Sequence, residues 1–166
     1  MNGLGRRGRL RGIPGPLRAA IKEQSSLRQL VKAGVAALAK PHRGLMDDAV
    51  KVDVADSLDL DAALEAMHPQ EHRWDYLVGL ETTGKVVAIE SHTATDKQVS
   101  VVIKKRAAAK RQLRAHLRDG VEPQAWIWVT EGQVGFAQTE RAVLQLAQAG
   151  ITFANRKILA KHLPES

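Results

Sequence analysis

The stretch WDYLVGLETTGKVVAIES, residues 74–91, decides the fold. It holds two apolar runs, 74–80 and 85–91, rich in Val, Leu, Ile and Tyr. Such residues favour a pleated, buried surface. Between them Thr82-Thr83-Gly84-Lys85 is a tight-turn sequence, so the stretch predicts a β-hairpin. Antiparallel strands bring the start of one beside the end of the other. Counting outward from a turn centre near residue 83, Asp75 lies about eight positions back and Glu90 about seven forward. Both carboxylates therefore fall at one end of the hairpin. Register decides whether they share a face, because a one-residue slip turns a side chain over. Glu90 and His92, two apart, share a face while the strand stays regular.

Working outward, residues 96–118 predict a long helix with Val99, Val102, Ile103, Leu113 and Leu117 toward the core, stopped by Asp119-Gly120. AWIWVT at 125–130 predicts a buried strand, in which Trp126 and Trp128 pack rather than bind. A helix from Glu140 to about Ala149, capped by Thr139 and ended by Gly150, precedes a short strand at 151–153. A final turn or two spans 156–163. Upstream of the hairpin, Asp56 or Ser57 is positioned to cap a helix reaching about Met67. Residues 42–56 are ambiguous; Val50, Val52 and Val54 alternate, as in a short strand or extended linker. Residues 17–40 predict a helix from Leu17, Ile21, Leu27, Leu30, Val31, Val35 and Leu38, with Pro16 in its first turn and Pro41 as its stop. Residues 1–15, rich in Gly and Arg, read as a disordered basic arm. The expected organisation is an arm at 1–15, an N-terminal helix and linker at 16–46, and an α/β domain at 47–166, with a mixed central sheet flanked by helices.

At 166 residues the chain can bury a real core. The absence of cysteine excludes disulfides, thiolate zinc sites and thiol catalysis, and fits a reducing, cytoplasmic setting. No apolar run of about 18 residues suggests a membrane span. The basic N-terminus lacks the apolar segment of a secretory signal. Aromatic residues make up 4%, too few for a base-stacking platform. Charge is segregated: residues 1–46 carry +9, 47–96 carry −9, 97–118 carry +8 and 119–166 carry −1. Two cationic blocks around an acidic centre suit a polyanion held near a metal-binding carboxylate cluster. The alternative is solvated faces of opposite sign.

Two adjacent carboxylates repel unless a proton or cation lies between them. A hard divalent ion such as Mg²⁺ is one solution, bound by one or two carboxylates, waters and phosphate oxygens. Salt bridges from an exposed acidic strand end are the other. His68 and His72 are four apart, but Pro69 breaks the helix that would align them on zinc. GLGRRG at 3–8 follows no strand and is not a dinucleotide fingerprint.

Asp75, then Glu90-x-His92 at the end of an apolar strand, then a basic helix, resembles the PD-(D/E)xK nuclease superfamily of restriction-endonuclease-like fold. The resemblance covers roughly residues 57–130. It implies that Asp75 and Glu90 are metal ligands for Mg²⁺ or Mn²⁺, with Glu65, or more weakly Glu71, as the upstream acid. It implies phosphodiester hydrolysis of DNA or RNA. The departure is His92 in place of the motif lysine. Histidine can serve as a general base near neutral pH, though it carries less charge. Lys97 and Lys104 of the following helix are candidates for the missing lysine. Phosphate contacts are expected from Lys104, Lys105, Arg106, Lys110, Arg111 and Arg114, and from Arg6, Arg7, Arg9 and Arg11 of the arm. The alternatives are a nucleic-acid-binding module that has lost catalysis, and a subunit that meets an acidic protein partner.

Overall fold

The structure is a computed structural model, which describes residues 13–135 and 140–165. Its centre is a six-stranded mixed sheet whose spatial order follows the chain. The strands are β1 (Lys32–Ala33), β2 (Val54–Asp59), β3 (Tyr76–Leu80), β4 (Val86–Ser91), β5 (Ala125–Val129) and β6 (Ile151–Phe153). The first four pair antiparallel; β4, β5 and β6 are parallel. The helices are α1 (Pro16–Ala20), α2 (Lys40–Arg43), α3 (Asp48–Asp53), α4 (Leu60–Glu65), α5 (Asp96–Leu113) and α6 (Glu140–Gln148). Helix α5 is the crossover between parallel β4 and β5, and α6 that between β5 and β6.

The hairpin forms as its sequence demands. Tyr76 pairs with Ile89 and Gly79 with Val86. Gly84 takes the left-handed backbone that the turn needs, with φ of 71°. Alternation then divides the side chains. Leu77, Ala88, Trp126 and Trp128 join Val99, Val102, Ala109 and Leu113 of α5 in one core layer. Tyr76, Val78, Val87, Ile89, Ile127 and Val129 meet Leu45, Met46, Val50 and Ile158 in the other. Both faces of the sheet are therefore covered, as expected where part of a sheet is built from parallel strands joined by helices. The two tryptophans of β5 pack: Trp126 lies edge-on to Trp74 at 5.1 Å, and Trp128 against Phe153 at 4.8 Å.

Three expectations upstream of the hairpin change. The helix over 17–40 is only the five residues of α1, followed by a 3-10 turn (Arg28–Leu30) and β1. Leu17, Ile21, Leu27 and Val31 are buried nonetheless, so their spacing reports burial without helical continuity. Ile21 instead bridges Leu117, and Lys22 N–H donates to the His116 carbonyl. Pro41 lies inside the first turn of α2 rather than ending a helix. The helix expected from Asp56 divides into β2 and α4, because the cap is Asp59, whose Oδ1 accepts from Ala62 N–H at 3.0 Å. Asp56 lies in β2 with its carboxylate buried, accepting from Leu17 and Arg18 N–H, each at 3.0 Å. It thereby caps α1 across the sheet face. The expected Thr139 cap and the arm at 1–12 lie outside the described residues.

Candidate functional site

Extending the hairpin ladder one step beyond the Tyr76–Ile89 pair sets Asp75 opposite Glu90. Opposed residues share a face, and this face looks toward α5. The Asp75 carbonyl accepts from Leu60 N–H at 2.9 Å and its Oδ2 from Ser91 N–H at 3.0 Å. Those two bonds fix Asp75 between the start of α4 and the end of β4.

Glu90 is 0% exposed. Its Oε1 forms an ion pair with Lys105 Nζ, whose side chain is 15% exposed. Its Oε2 is buried with no hydrogen-bond donor. Burial, then the Asp75 charge, push the Glu90 carboxyl well above the ordinary 4.5, against the opposing pull of Lys105. Asp75, Glu90 and Lys105 thus form one contiguous acid–acid–ammonium group at the carboxyl end of β4.

His92 takes a different direction. Its Nε2 lies 2.5 Å from Gln98 Oε1, and its carbonyl accepts from Trp128 Nε1–H at 3.0 Å. Its ring is held toward the first turn of α5. Glu65 is exposed at the end of α4, and no group of three or more His, Asp or Glu side chains is placed to hold a metal among the described residues. Asp59 and Asp61 do share the sheet end with Asp75, since all three charges help raise the Tyr76 hydroxyl, after burial as its main cause. Asp61 is paired with Arg73, Nε to Oδ1 at 2.8 Å. Glu71 is paired with His68.

The basic residues of α5 separate into two sets. Lys105 and Arg106 turn inward; the Arg106 guanidinium sits 5.2 Å over the Trp126 ring. Lys97, Lys104 and Arg111 are exposed and have no side-chain partner among the described residues. They recur every seven residues, about 10.5 Å apart along one ridge of a helix. Arg118 lies beyond the helix end and anchors its Nε–H to the Ala19 carbonyl at 2.7 Å. Arg114 is exposed beside the ridge, and Lys110 lies 3.9 Å from Glu122. Arg6, Arg7, Arg9 and Arg11 lie outside the described residues.

Lys105, expected among the phosphate contacts, lies instead at Glu90. The signal was present: Lys105 follows Val102 by three and precedes Ala109 by four, both buried. That spacing sets it at the border of the buried face. Asp59 and Asp61 gave no comparable signal, because their place depends on where β2 ends.

A hard divalent cation suits this centre in one respect: it would sit between two close carboxyl groups, Asp75 and Glu90, a place that a shared proton also fills. No helix among the described residues is long and apolar enough to cross a membrane. No family model, curated protein or solved structure matches the chain.

Proposed function

We propose that the chain is a metal-dependent phosphodiester hydrolase of the restriction-endonuclease-like type, with Lys105 supplying the lysine that the Glu90-x-His92 motif lacks. The observation that carries this reading is the group of Asp75, Glu90 and Lys105 at the end of the hairpin. An antiparallel hairpin leading through a helix to a parallel strand supports the same assignment.

Asp75 and Glu90 would hold Mg²⁺ or Mn²⁺, which supplies an activated water and stabilises charge on a phosphate. The chain's own residues do the rest. Lys105 brings a fixed ammonium to the centre, able to stabilise negative charge as it develops on a phosphate oxygen. Gln98 holds the His92 ring at the first turn of α5. Lys97, Lys104 and Arg111 present a line of cations to a DNA or RNA backbone, which they bind without reading sequence.

The test is nicking of supercoiled plasmid and of labelled single-stranded DNA and RNA with Mg²⁺ or Mn²⁺. Cleavage is expected from the wild type and abolished in Glu90→Gln, Asp75→Asn and Lys105→Met. Absence of cleavage by the wild type on all three substrates would overturn the reading.

A specific observation favours a second reading, a nucleic-acid-binding module without catalysis. Glu90 is fully buried and in contact with Lys105, an arrangement equally suited to a structural pair. That reading expects salt-sensitive binding that survives Asp75→Asn and is lost when the α5 ridge is neutralised.

A further inference from the structure

At the opposite end of α5 from the carboxylates lies a pocket of about 310 Å³, lined by Lys110, Leu113, Arg114, Leu117 and Trp126, among others. This is the lower end of the roughly 300–1,000 Å³ typical of small-molecule sites. Its two halves differ in chemistry. Leu113, Leu117 and Trp126 are buried, and with Val121 and Pro123 they give an apolar floor. The rim carries Lys110, Arg114 and Arg118 against two acids, Asp119 and Glu122. Both acids already face lysines: Glu122 lies 3.9 Å from Lys110 and Asp119 3.8 Å from Lys22. The Arg114 guanidinium has no partner among the described residues. Arg118 commits its Nε to Ala19, which leaves its terminal nitrogens for another acceptor.

The floor gives a bare anion nothing, and the rim gives an apolar molecule nothing. A ligand matching both halves joins an apolar or weakly polar body to an anionic group, and a nucleotide is one such ligand. A guanidinium fork binds phosphate through paired N–H groups. The partial negative charge of a helix C-terminus would oppose an anion, but two of the carbonyls here are engaged. Leu113 O accepts from His116 and Leu117 N–H at 3.0 and 2.9 Å, and His116 O from Lys22 N–H at 2.8 Å.

We propose that this pocket binds a single nucleotide unit, with the heterocycle on the floor and the phosphate at Arg114 and Arg118. The unit comes either from a free nucleotide or from a nucleic-acid strand lying along the α5 ridge. The site stands apart from the carboxylate centre and does not require that centre to be catalytic.

The test is calorimetric titration of the full chain, in EDTA, with adenosine 5′-monophosphate, adenosine, ribose 5-phosphate and a short single-stranded oligonucleotide. Variants are Arg114→Ala, which removes an exposed side chain, Val121→Trp, which fills the pocket, and Val52→Ser, at an exposed position of α3, as a control. A free-nucleotide source predicts that the monophosphate binds more tightly than adenosine or ribose 5-phosphate. Binding should fall about tenfold or more in both pocket variants and be unchanged in Val52→Ser. A strand source predicts the same losses for the oligonucleotide, with no binding of the monophosphate. Ribose 5-phosphate binding as well as the monophosphate would overturn the proposal. So would binding of both nucleotide ligands that neither pocket variant weakens, or no binding of either ligand by the wild type. Because divalent metal is absent, none of these outcomes reports on hydrolysis.

Discussion

Replacing Glu90 with glutamine tests the carboxylate by pH. The folded state holds the Glu90 proton well above 4.5, mainly because the group is buried. A raised carboxyl pKa means that the folded state binds more protons than the unfolded chain. Wild-type stability therefore falls as pH rises from about 4.5 through the raised folded value. Glu90→Gln removes that slope, so urea denaturation at pH 5 and pH 8 should show the variant gaining on the wild type at the higher pH. An unchanged difference would mean that Glu90 is not the buried titrating group. Lys105 gives a second test. If it is the lysine of the centre, Lys105→Met should lower cleavage by about 100-fold or more, while Lys97→Ala and Lys104→Ala should mainly weaken binding. Equal losses in all three would assign Lys105 to the phosphate contacts instead. The sequence reading already brought Asp75 and Glu90 to one sheet end by counting from the turn. It lacked the direction of the lysine and histidine side chains, because these depend on how α5 docks.

Among the elements, those that read clearly from sequence are the ones fixed by local chemistry. Gly84 sets the hairpin turn, the apolar run of β5 demands burial, and Gly150 ends the turn after α6 with φ of 71°. Those that read wrongly are fixed by distant partners. Helix α1 is five residues long and depends on Asp56, 38 and 39 positions away, for its cap. A Cβ at Gly79 would meet Asp56 Oδ1 and come within 2.6 Å of Leu17 N. Gly79 is thus glycine because α1 lies directly on β3. Asp56→Ala should cost about 2 kcal/mol in denaturant unfolding by leaving one buried and one half-buried N–H group unpaired. Gly79→Ala should cost at least as much. A change below about 0.5 kcal/mol in either would mean that α1 is not anchored there. The α5 ridge carries its own prediction. Neutralising Lys97, Lys104 and Arg111 together should leave unfolding unchanged. It should also lower the slope of log binding constant against log salt by about 2 to 3 for nucleic acid. An unchanged slope would remove the ridge from the interface.

On the scale of the whole molecule, the charge pattern of the sequence becomes a spatial one. The acidic block supplies Asp59, Asp61, Asp75 and Glu90 at one sheet end, and the cationic block supplies the ridge and pocket rim of α5 and the turn that follows it. That segregation was legible in the chain. The mixed sheet was legible too, but β1 and β2 were not: β1 is two residues long, and β2 buries the polar Asp56 and Ser57, which blurs its alternation. The sheet also has its six strands side by side in the order in which the chain presents them. A ribosome releasing this chain would deliver each strand next to a neighbour already made, so assembly can proceed from one edge without waiting for the far terminus. Asp75 and Glu90 meet as soon as the hairpin closes, whereas Lys105 arrives only with the following helix. The nascent hairpin therefore carries two facing carboxylates in water until α5 is complete, and docking of that helix buries Glu90 and delivers its counter-charge in the same event.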